Sequence, residues 1–424
     1  MTRSTPFGLE RNRDSHQPNR RRLIAALAAG SLYSIGGARV KAAEAEIAAT
    51  TCTNTVNWPQ WQTFLEHFVQ PDGRVLDAST PAQHSSSEGQ SYGMFFALIA
   101  NDPSTFERLW RWAVNNLAGG DIRRNLPAWI WGQDAQGQWQ VLDDNSAADA
   151  ELWFVYALLE AGKRWHRPDY TDEGMALLQQ VETLEVDTLP GLGKMLLPGP
   201  RHFVLPENTW RLNPSYMPLP VLRRLASASP RGPWNEIADN TAQMLQAISP
   251  KGFAPDWVCY RTDAARETGR FIADPDKGDI GSYDAIRVYL WAGLTAPDDP
   301  LATKVLRSLH GMAKAVQQTG APPEIVNTET GQYKNSGPAG FSSAVVPYFY
   351  ALNNASQMRA QYNRSASLLQ ARITEMRAQS QQPPYYDHVL NLFSTGWQRG
   401  HYRFQASGDL QLQWDQTCPP AITQ

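Results

Sequence analysis

Residues 146–165 read SAADAELWFVYALLEAGKRW and predict an amphipathic helix. Leu152, Trp153 and Tyr156 follow Asp149 at the third, fourth and seventh places, so all four side chains share one helical face. Apolar residues recur with the same spacing in residues 104–117, 235–248, 283–294 and 302–318. Pro- and Gly-rich connections, such as LPGLGKMLLPGP at residues 189–200, separate these stretches. We therefore predict a mostly helical chain.

Strand-like alternation is rare in the sequence. GQWQVL at residues 137–142 and KMLLP at residues 194–198 are the candidates, and we interpret them as short hairpin pieces in loops. A chain of this length with connections of ordinary length has room for about ten to twelve helices, which suggests helical pairs around a common centre. A closed helical barrel is one such arrangement, although periodicity alone does not require closure.

Composition narrows the class of function. The chain has 424 residues, 42% of them hydrophobic, and a net charge of -3, so it can bury a large core but offers no basic face to nucleic acid. Several of its 15 tryptophans lie in polar surroundings, as in PAWIWGQDAQGQW at residues 127–139. Aromatic faces stack on the apolar patches of sugar rings, which favours a glycan ligand. Core packing is the alternative explanation for these tryptophans.

The first 45 residues differ in character from the rest. An arginine cluster precedes an apolar run from Leu23 to about Ala38, and small residues suit cleavage after Ala45. We predict an export signal at residues 1–45, followed by a single domain at 46–424 without a retained membrane span. Residues 19–24 resemble a twin-arginine signal, and an ordinary secretory signal stays open as the alternative.

Three cysteines limit the disulfide chemistry. In an oxidising compartment, Cys52 and Cys418 could join the two ends of the mature chain, which would close a very long loop. Cys259 would then be a free, buried thiol. The spacing of the three residues does not match a metal or redox motif.

Three acids occupy equivalent positions in three predicted helices. Glu88, in SSSEGQSYGMFF at residues 85–96, begins the apolar face of its helix, and Asp149 and Asp284 do the same in theirs. If these helices run in the same direction around one core, the carboxyl groups meet at one end. The alternatives are a capping role for Glu88 and three unrelated helix-start acids. Arg287, one turn after Asp284, could keep that aspartate ionised.

Such a cluster suits glycosidic hydrolysis. One protonated carboxyl donates to the leaving oxygen, and one carboxylate acts as a base or a nucleophile. An apolar setting and a neighbouring carboxylate would keep the acid protonated in spite of its place at a helix start. The sequence has none of the common zinc, serine-hydrolase, phosphate-loop or dinucleotide motifs, so we expect no cofactor.

The stretches SEGQSYGMFFAL, SAADAELWFVYALLEAGKRW, LNPSYM and GSYDAIRVYLW together resemble family 8 of the glycoside hydrolases. The resemblance is strongest to its periplasmic bacterial endoglucanases linked to cellulose synthesis, and it extends from about Cys52 to LQLQWDQTC at residues 410–418. It implies an all-α (α/α)6 barrel of about twelve helices that cuts β-1,4-glucan internally, with inversion of configuration and without a metal.

The resemblance also implies residue roles. Glu88 would be the proton donor, Asp284 the base that activates water, and Asp149 the acid that positions the sugar, although family signatures label that position a nucleophile. The remaining candidate substrate-binding residues are Tyr216, Arg287, Tyr283 and Trp131. One departure concerns the second motif, where the family pattern is close to Ala-Ser-Asp-Ala-Asp. Ala148 and Glu151 replace its serine and its last aspartate, which puts the fine positioning around Asp149 in doubt.

Several functional alternatives stay open within this resemblance. The expected ligand is a β-1,4-glucan chain, and the rival substrates are xylan and chitosan. A weakly active glycan-binding component of cellulose export is a second reading. We expect a monomer in the periplasm or outside the cell, with a functional link to a cellulose synthase complex.

Overall fold

Helices dominate the structure, a computed structural model that describes residues 56–263 and 268–417. Within these ranges the α-helices, numbered in chain order, are α1 (Pro59–Phe68), α2 (Ser87–Ile99), α3 (Pro103–Leu117), α4 (Ala148–Arg164), α5 (Pro168–Leu184), α6 (Leu219–Ala228), α7 (Trp234–Ile248), α8 (Ala285–Leu294), α9 (Ala302–Ser308), α10 (His310–Thr319), α11 (Ala339–Ala351), α12 (Ala355–Ala378), α13 (Tyr385–Gln398) and α14 (Gln413–Thr417). A short 3-10 helix covers Pro214–Tyr216.

The strands are short and lie in the connections between helices. They are β1 (Ser85–Ser86), β2 (Ile130–Gln133), β3 (Trp139–Asp143), β4 (Val186–Leu189), β5 (Gly193–Leu196), β6 (Val204–Leu205), β7 (Thr209–Leu212), β8 (Val258–Asp263), β9 (Thr268–Ala273), β10 (Ile280–Gly281), β11 (Pro323–Asn327), β12 (Tyr333–Ser336), β13 (Tyr402–Phe404) and β14 (Leu410–Leu412). All their pairings are antiparallel.

Six of the described helices form a closed inner ring. Each packs against the next in the order α2, α4, α6, α8, α11, α13, and α13 packs against α2. An outer helix covers each inner one: α3 on α2, α5 on α4, α7 on α6, α9 on α8, α12 on α11 and α1 on α13. The predicted (α/α)6 barrel is therefore confirmed.

Burial explains which helices lie inside. All ten residues of α8 are buried, whereas α3 buries one apolar stripe that includes Phe106, Leu109 and Trp110. A helix that is apolar all round needs neighbours on every side, and an amphipathic helix needs a core on one side. The ring closes where Phe393 of α13 packs edge-to-face on Phe96 and Tyr92 of α2, with ring centroids 4.8 and 5.2 Å apart.

The predicted helices at residues 104–117, 146–165, 235–248 and 283–294 correspond to α3, α4, α7 and α8. The prediction of one helix over 302–318 is wrong, because the chain breaks into α9 and α10 at Leu309. The Gly311 N–H donates to Gly252 O at 2.9 Å instead of continuing the helical pattern. A Cβ at Gly311 would lie 2.4 Å from Lys251 O, so this close backbone approach requires glycine.

Both predicted hairpin pieces are present, in β3 and β5. The four-stranded sheet β6–β7–β8–β9, whose strands lie between α5 and α8 in the chain, was not predicted from the sequence. Its β8 alternates buried and exposed residues over part of its length, while β9 is mostly exposed. Because these strands are short and partly exposed to solvent, apolar and polar residues alternate only weakly in their sequences.

The predicted export signal and the predicted pairing of Cys52 with Cys418 lie outside the described residues. Cys259 is a buried free thiol, as expected. In the part of the chain that the structure describes, no helix has the length and apolar character needed to cross a membrane.

Candidate active site

The three predicted acids meet at one end of the barrel. Glu88 and Asp149 are the second residues of α2 and α4, and Asp284 is the N-cap residue of α8. Arg287 links two of them, because its Nη2 lies 2.9 Å from Asp284 Oδ1 and 3.8 Å from Asp149 Oδ2. Glu88 is close enough for its charge to raise the pKa of Asp149. The three helix starts therefore build one site, rather than three unrelated ones.

Glu88 is free to serve this site because another residue caps its helix. The capping oxygen is Ser86 Oγ, which accepts a hydrogen bond from Gly89 N at 3.1 Å. Glu88 Oε1 accepts from Trp129 Nε1 at 3.2 Å, and among the described residues its buried Oε2 has no hydrogen-bond partner. Burial raises the pKa of Glu88, and the positive charge of Arg287 opposes that rise. A raised pKa is what a general acid requires.

Asp149 lies deeper, with 1% of its surface exposed. Its Oδ1 accepts a hydrogen bond from Ala150 N at 3.0 Å. Its Oδ2 faces Arg287 without a hydrogen bond from any part of the chain that the structure describes. Burial raises the pKa of Asp149 well above its ordinary value, and the charge of Glu88 raises it further. Asp149 therefore has an unused oxygen available for a ligand.

Asp284 is held differently, since both of its oxygens accept hydrogen bonds. Arg287 Nη2 donates to Oδ1 at 2.9 Å, and Trp257 Nε1 donates to Oδ2 at 3.1 Å. The Asp284 side chain is 30% exposed, so water can reach it. Two donors and access to water suit a carboxylate that accepts a proton from a water molecule.

Arg287 is itself fixed by residues from other elements. Its Nη2 also donates to Ser215 Oγ at 2.8 Å, and its Nη1 donates to Tyr386 OH at 3.3 Å. The hydroxyl of Tyr386 donates in turn to Tyr283 O at 2.7 Å. These contacts hold the guanidinium between Asp149 and Asp284.

A fourth acid, Asp256, fixes the start of α8. Its Oδ1 accepts hydrogen bonds from the backbone N–H groups of Ser282, Asp284 and Ala285 at 2.8, 3.1 and 2.7 Å. Burial, and then the charge of Asp284, raise the pKa of Asp256 to about 6. Asp256 caps the helix in place of Asp284, which leaves the Asp284 carboxyl free for the site.

The other predicted substrate-binding residues lie in different environments. Tyr216 is buried beside the acids, with its ring 6.0 Å from the Arg287 guanidinium and 6.2 Å from the Trp257 ring. Tyr283 is 47% exposed next to Asp284, and its hydroxyl donates to Glu324 Oε1 at 2.9 Å. Trp131 is half-buried in the hairpin β2–β3.

One of the two departures from the family pattern, Glu151, comes two residues after Asp149 on α4. Glu151 is fully buried, and so is Glu185, whose Oε1 accepts from Ser146 Oγ at 2.5 Å. Both Glu151 oxygens and Glu185 Oε2 are without hydrogen-bond partners within residues 56–263 and 268–417. Burial raises the pKa of Glu185 to about 8, and burial together with the charge of Glu185 raises that of Glu151 well above its ordinary value. We call Glu151 and Glu185 the buried carboxyl pair.

Several partners of the acids were not predicted from the sequence. Trp129, Trp257, Ser215 and Asp256 contact Glu88, Asp284 or Arg287 from loops and from the 3-10 helix. Ser215 and Trp129 could have been predicted, because they lie inside the quoted stretches LNPSYM and PAWIWGQDAQGQW. Asp256 and Trp257 follow Ala254–Pro255, in a segment without a helical or strand pattern, and offered no signal.

The geometry defines a class of enzyme. A buried carboxyl group with a raised pKa and a carboxyl group that accepts from two donors lie at one end of a helical barrel. General acid and base hydrolysis needs such a pair. Within residues 56–263 and 268–417, no group of three or more His, Cys, Asp and Glu side chains is arranged to hold a metal ion.

Comparison with known proteins agrees with this class. The family model described as "Glycosyl hydrolases family 8" matches residues 39–400. An endoglucanase of Pseudomonas fluorescens (strain SBW25) is 45% identical over 402 residues, which cover 93% of this chain and 98% of the relative. An endoglucanase of Xanthomonas axonopodis pv. citri (strain 306) is 46% identical, covering 84% of this chain and 89% of the relative.

A solved structure extends the comparison to the fold. The endo-1,4-D-glucanase of Vibrio fischeri superposes with a TM-score of 0.78 at 39% identity, over 84% of this chain and 99% of that chain. The chain belongs to family 8 of the glycosyl hydrolases.

Proposed function

We propose that the protein is an endo-β-1,4-glucanase that hydrolyses internal bonds of β-1,4-glucan. The observation that carries this proposal is the pairing of Glu88 with Asp284 at one end of the barrel. Burial raises the pKa of Glu88, while Arg287 and Trp257 donate to both oxygens of Asp284. The endoglucanase names of the similar proteins support β-1,4-glucan as the substrate.

The proposed reaction assigns one step to each acid. Glu88 donates its proton to the glycosidic oxygen as the bond to the anomeric carbon breaks. Asp284 takes a proton from a water molecule, whose oxygen forms the new bond to that carbon from the opposite face. Asp149, with its unpartnered oxygen turned towards Arg287, binds hydroxyl groups of the sugar at the cleavage point. Solvent then restores the proton on Glu88 and removes the one on Asp284.

A displacement by water predicts inversion of configuration. When a soluble β-1,4-glucan is hydrolysed and followed by NMR, we expect the α-anomer to form first and the β-anomer to appear later by mutarotation. An initial β-anomer would instead mean a covalent intermediate and a nucleophilic carboxylate, with Asp149 as the candidate.

The rival substrates need a direct comparison. Carboxymethyl cellulose, xylan and chitosan are assayed side by side at equal mass concentration, and we expect the highest kcat/KM on the cellulose derivative. A higher value on xylan or chitosan would reassign the substrate within the same chemistry. Tight glycan binding without turnover would favour the glycan-binding component of cellulose export, a reading that the Ala148 and Glu151 departures leave open.

We further propose that the protein works as a periplasmic or secreted monomer with a functional link to a cellulose synthase complex. The arginine-rich, apolar start of the sequence and the family resemblance support this placement. Cell fractionation, with N-terminal sequencing of the exported form, tests the export and the cleavage after Ala45. A protein that stays in the cytoplasm at full length would overturn this proposal.

A further inference from the structure

The hairpin β2–β3 carries a row of tryptophans that starts at the catalytic acid. Trp129, immediately before β2, donates to Glu88, and Trp131 and Trp139 follow on the two strands. Trp129 is 40% exposed and Trp139 is 44% exposed, which is unusual for so large an apolar side chain. None of the chemical steps proposed above uses Trp139.

Trp131 is less exposed than the other two tryptophans of this row. Its ring stacks on Trp139, with centroids 5.1 Å apart and planes 13° apart, and it meets Trp112 edge-to-face at 5.3 Å. The Arg74 guanidinium lies 4.7 Å from the Trp131 ring and 4.5 Å from the Trp139 ring. Trp131 therefore supports its neighbour, and Trp139 presents the larger exposed surface.

Hydrogen bonds hold in place the residues that surround Trp139. Arg74 is buried, its Nε donates to Ser85 Oγ at 2.8 Å, and its Nη2 donates to Gln83 O. At the turn of the hairpin, Asp134 Oδ1 accepts from the backbone N–H groups of Gln136 and Gln138, both at 2.8 Å. A ring presented on such a frame loses little freedom when a ligand stacks on it.

The row also has a suitable reach. Trp131 comes two residues after Trp129, a separation of about 7 Å along an extended strand. The Trp139 ring lies 5.1 Å from that of Trp131, on the neighbouring strand. Trp139 pairs with Gln133, which comes four residues after Trp129, so it stands roughly 13 Å along the hairpin from the tryptophan that contacts the acid.

We propose that Trp139 is an outer binding platform for the glucan, where a sugar ring of the chain being cleaved stacks beyond the Trp129 position. The proposal rests on the endoglucanase function proposed above. Sugar rings expose apolar C–H faces that match an exposed indole, and continuity with the catalytic acid favours the same polysaccharide chain as the occupant. Trp131 and Arg74 act as positioning residues for this platform.

Chain length is the variable that tests the platform. We compare wild type with Trp139→Ala on cellotetraose and cellohexaose. For the variant we expect kcat/KM to fall roughly five- to tenfold on cellohexaose, through KM, and less than twofold on cellotetraose. Trp139→Phe, which keeps a stacking ring, should restore much of the loss. Tyr350→Ala removes a 60% exposed aromatic side chain from α11 and serves as the matched control, with no change on either substrate.

A binding measurement separates this proposal from the proposed function. The Glu88→Gln variant and the Glu88→Gln/Trp139→Ala double variant are titrated with cellohexaose by calorimetry, and we expect weaker binding by the double variant. Equal binding by the two variants, or equal losses of kcat/KM on cellotetraose and cellohexaose, would overturn the platform. Failure of the wild type to cleave any β-1,4-glucan would instead overturn the proposed function, whatever the binding result.

Discussion

Two of the buried acids of helix α4, Asp149 and Glu160, lie near its opposite ends and have opposite surroundings. Asp149 is in its first turn and Glu160 follows eleven residues later, about 16 Å along the axis. Their exposed fractions are 1% and 0%. Burial is therefore the same at the two positions, and the difference between them comes from their hydrogen-bond partners.

At the Glu160 position every carboxylate oxygen has a strong donor. Arg224 Nε donates to Oε1 at 2.6 Å, while Arg164 Nη1 and Leu410 N donate to Oε2 at 2.7 and 3.0 Å. The cluster ties α4 to α6 and to the hairpin β13–β14, and Tyr156 OH adds a hydrogen bond to Gly408 O at 2.8 Å. Two guanidinium groups therefore donate hydrogen bonds to one carboxylate.

Around Asp149, carboxyl groups outnumber guanidinium groups. Arg287 is the guanidinium that both Asp149 and Asp284 approach, and Glu88 adds a third carboxyl group. Among the described residues, Glu88 Oε2 and Asp149 Oδ2 have no hydrogen-bond partner, and burial raises the pKa of both acids. Such an arrangement costs stability and favours the protonated forms. The supply of donors therefore differs between Glu160, whose two oxygens both accept hydrogen bonds, and Asp149, whose Oδ2 accepts none from the described residues.

The largest expected effect is that of Glu88→Gln. Burial raises the pKa of Glu88 and so favours its neutral form, which glutamine matches in shape although it has no acidic proton to donate. We expect hydrolysis of carboxymethyl cellulose to fall by about three to four orders of magnitude, with unfolding stability unchanged or slightly higher. Glu182→Gln is the matched control, since Glu182 Oε1 also accepts from an indole, Trp234 Nε1 at 2.7 Å. A loss of less than tenfold at Glu88 would contradict its role as the acid.

Glu160→Gln should show the opposite pattern. The substitution leaves Arg164 and Arg224, whose side chains are 9% and 12% exposed, without their shared counter-charge. We expect about 3 kcal/mol less stability towards urea and an unchanged kcat in the folded enzyme. A loss of activity without a loss of stability would remove the contrast between the two ends of α4.

The buried carboxyl pair predicts a stability that depends on pH. Because the pKa of Glu185 rises from an ordinary 4.5 to about 8, the folded protein binds more protons than the unfolded chain between these values. Stability should therefore fall as pH rises through this window, by up to about 1.4 kcal/mol per pH unit for each shifted group. This contribution is fully present below pH 4.5.

Glu151→Gln removes one member of the pair and should flatten this dependence. We expect the variant to match wild type in urea unfolding at pH 4.5 and to exceed its stability at pH 8 by about 1 to 3 kcal/mol. Glu182→Gln is again the control. Parallel stability curves for wild type and Glu151→Gln would show that the pair holds no extra proton.

The smallest effect is expected at the margin of the Glu160 cluster. Lys163 Nζ lies 3.4 Å from Asp409 Oδ1, but the lysine side chain is 61% exposed. Lys163→Ala should therefore change the free energy of unfolding by less than about 0.5 kcal/mol. A change above about 1 kcal/mol would mean that the exposed charge belongs to the cluster after all.

The sequence predicted those parts of the site that depend on one helix at a time. Glu88 and Asp149 could be placed on inward faces because spacing within one helix fixes the direction of each side chain. Trp257 and Asp256 could not be assigned, since they reach Asp284 and α8 from a loop with no periodicity. The break at Leu309 was missed for a related reason, because Gly252 meets Gly311 across 59 residues of chain.

Ring closure between α13 and α2 has a consequence for synthesis of the protein. Phe393 packs on the helix that carries Glu88, although about 300 residues separate them, so this contact is formed late. A nascent chain translated as far as α11 already contains Glu88, Asp149 and Asp284 but lacks the helix that completes their enclosure. The ribosome must release nearly the whole chain before Glu88 is enclosed, so partial translation products carry all three acids without a finished site.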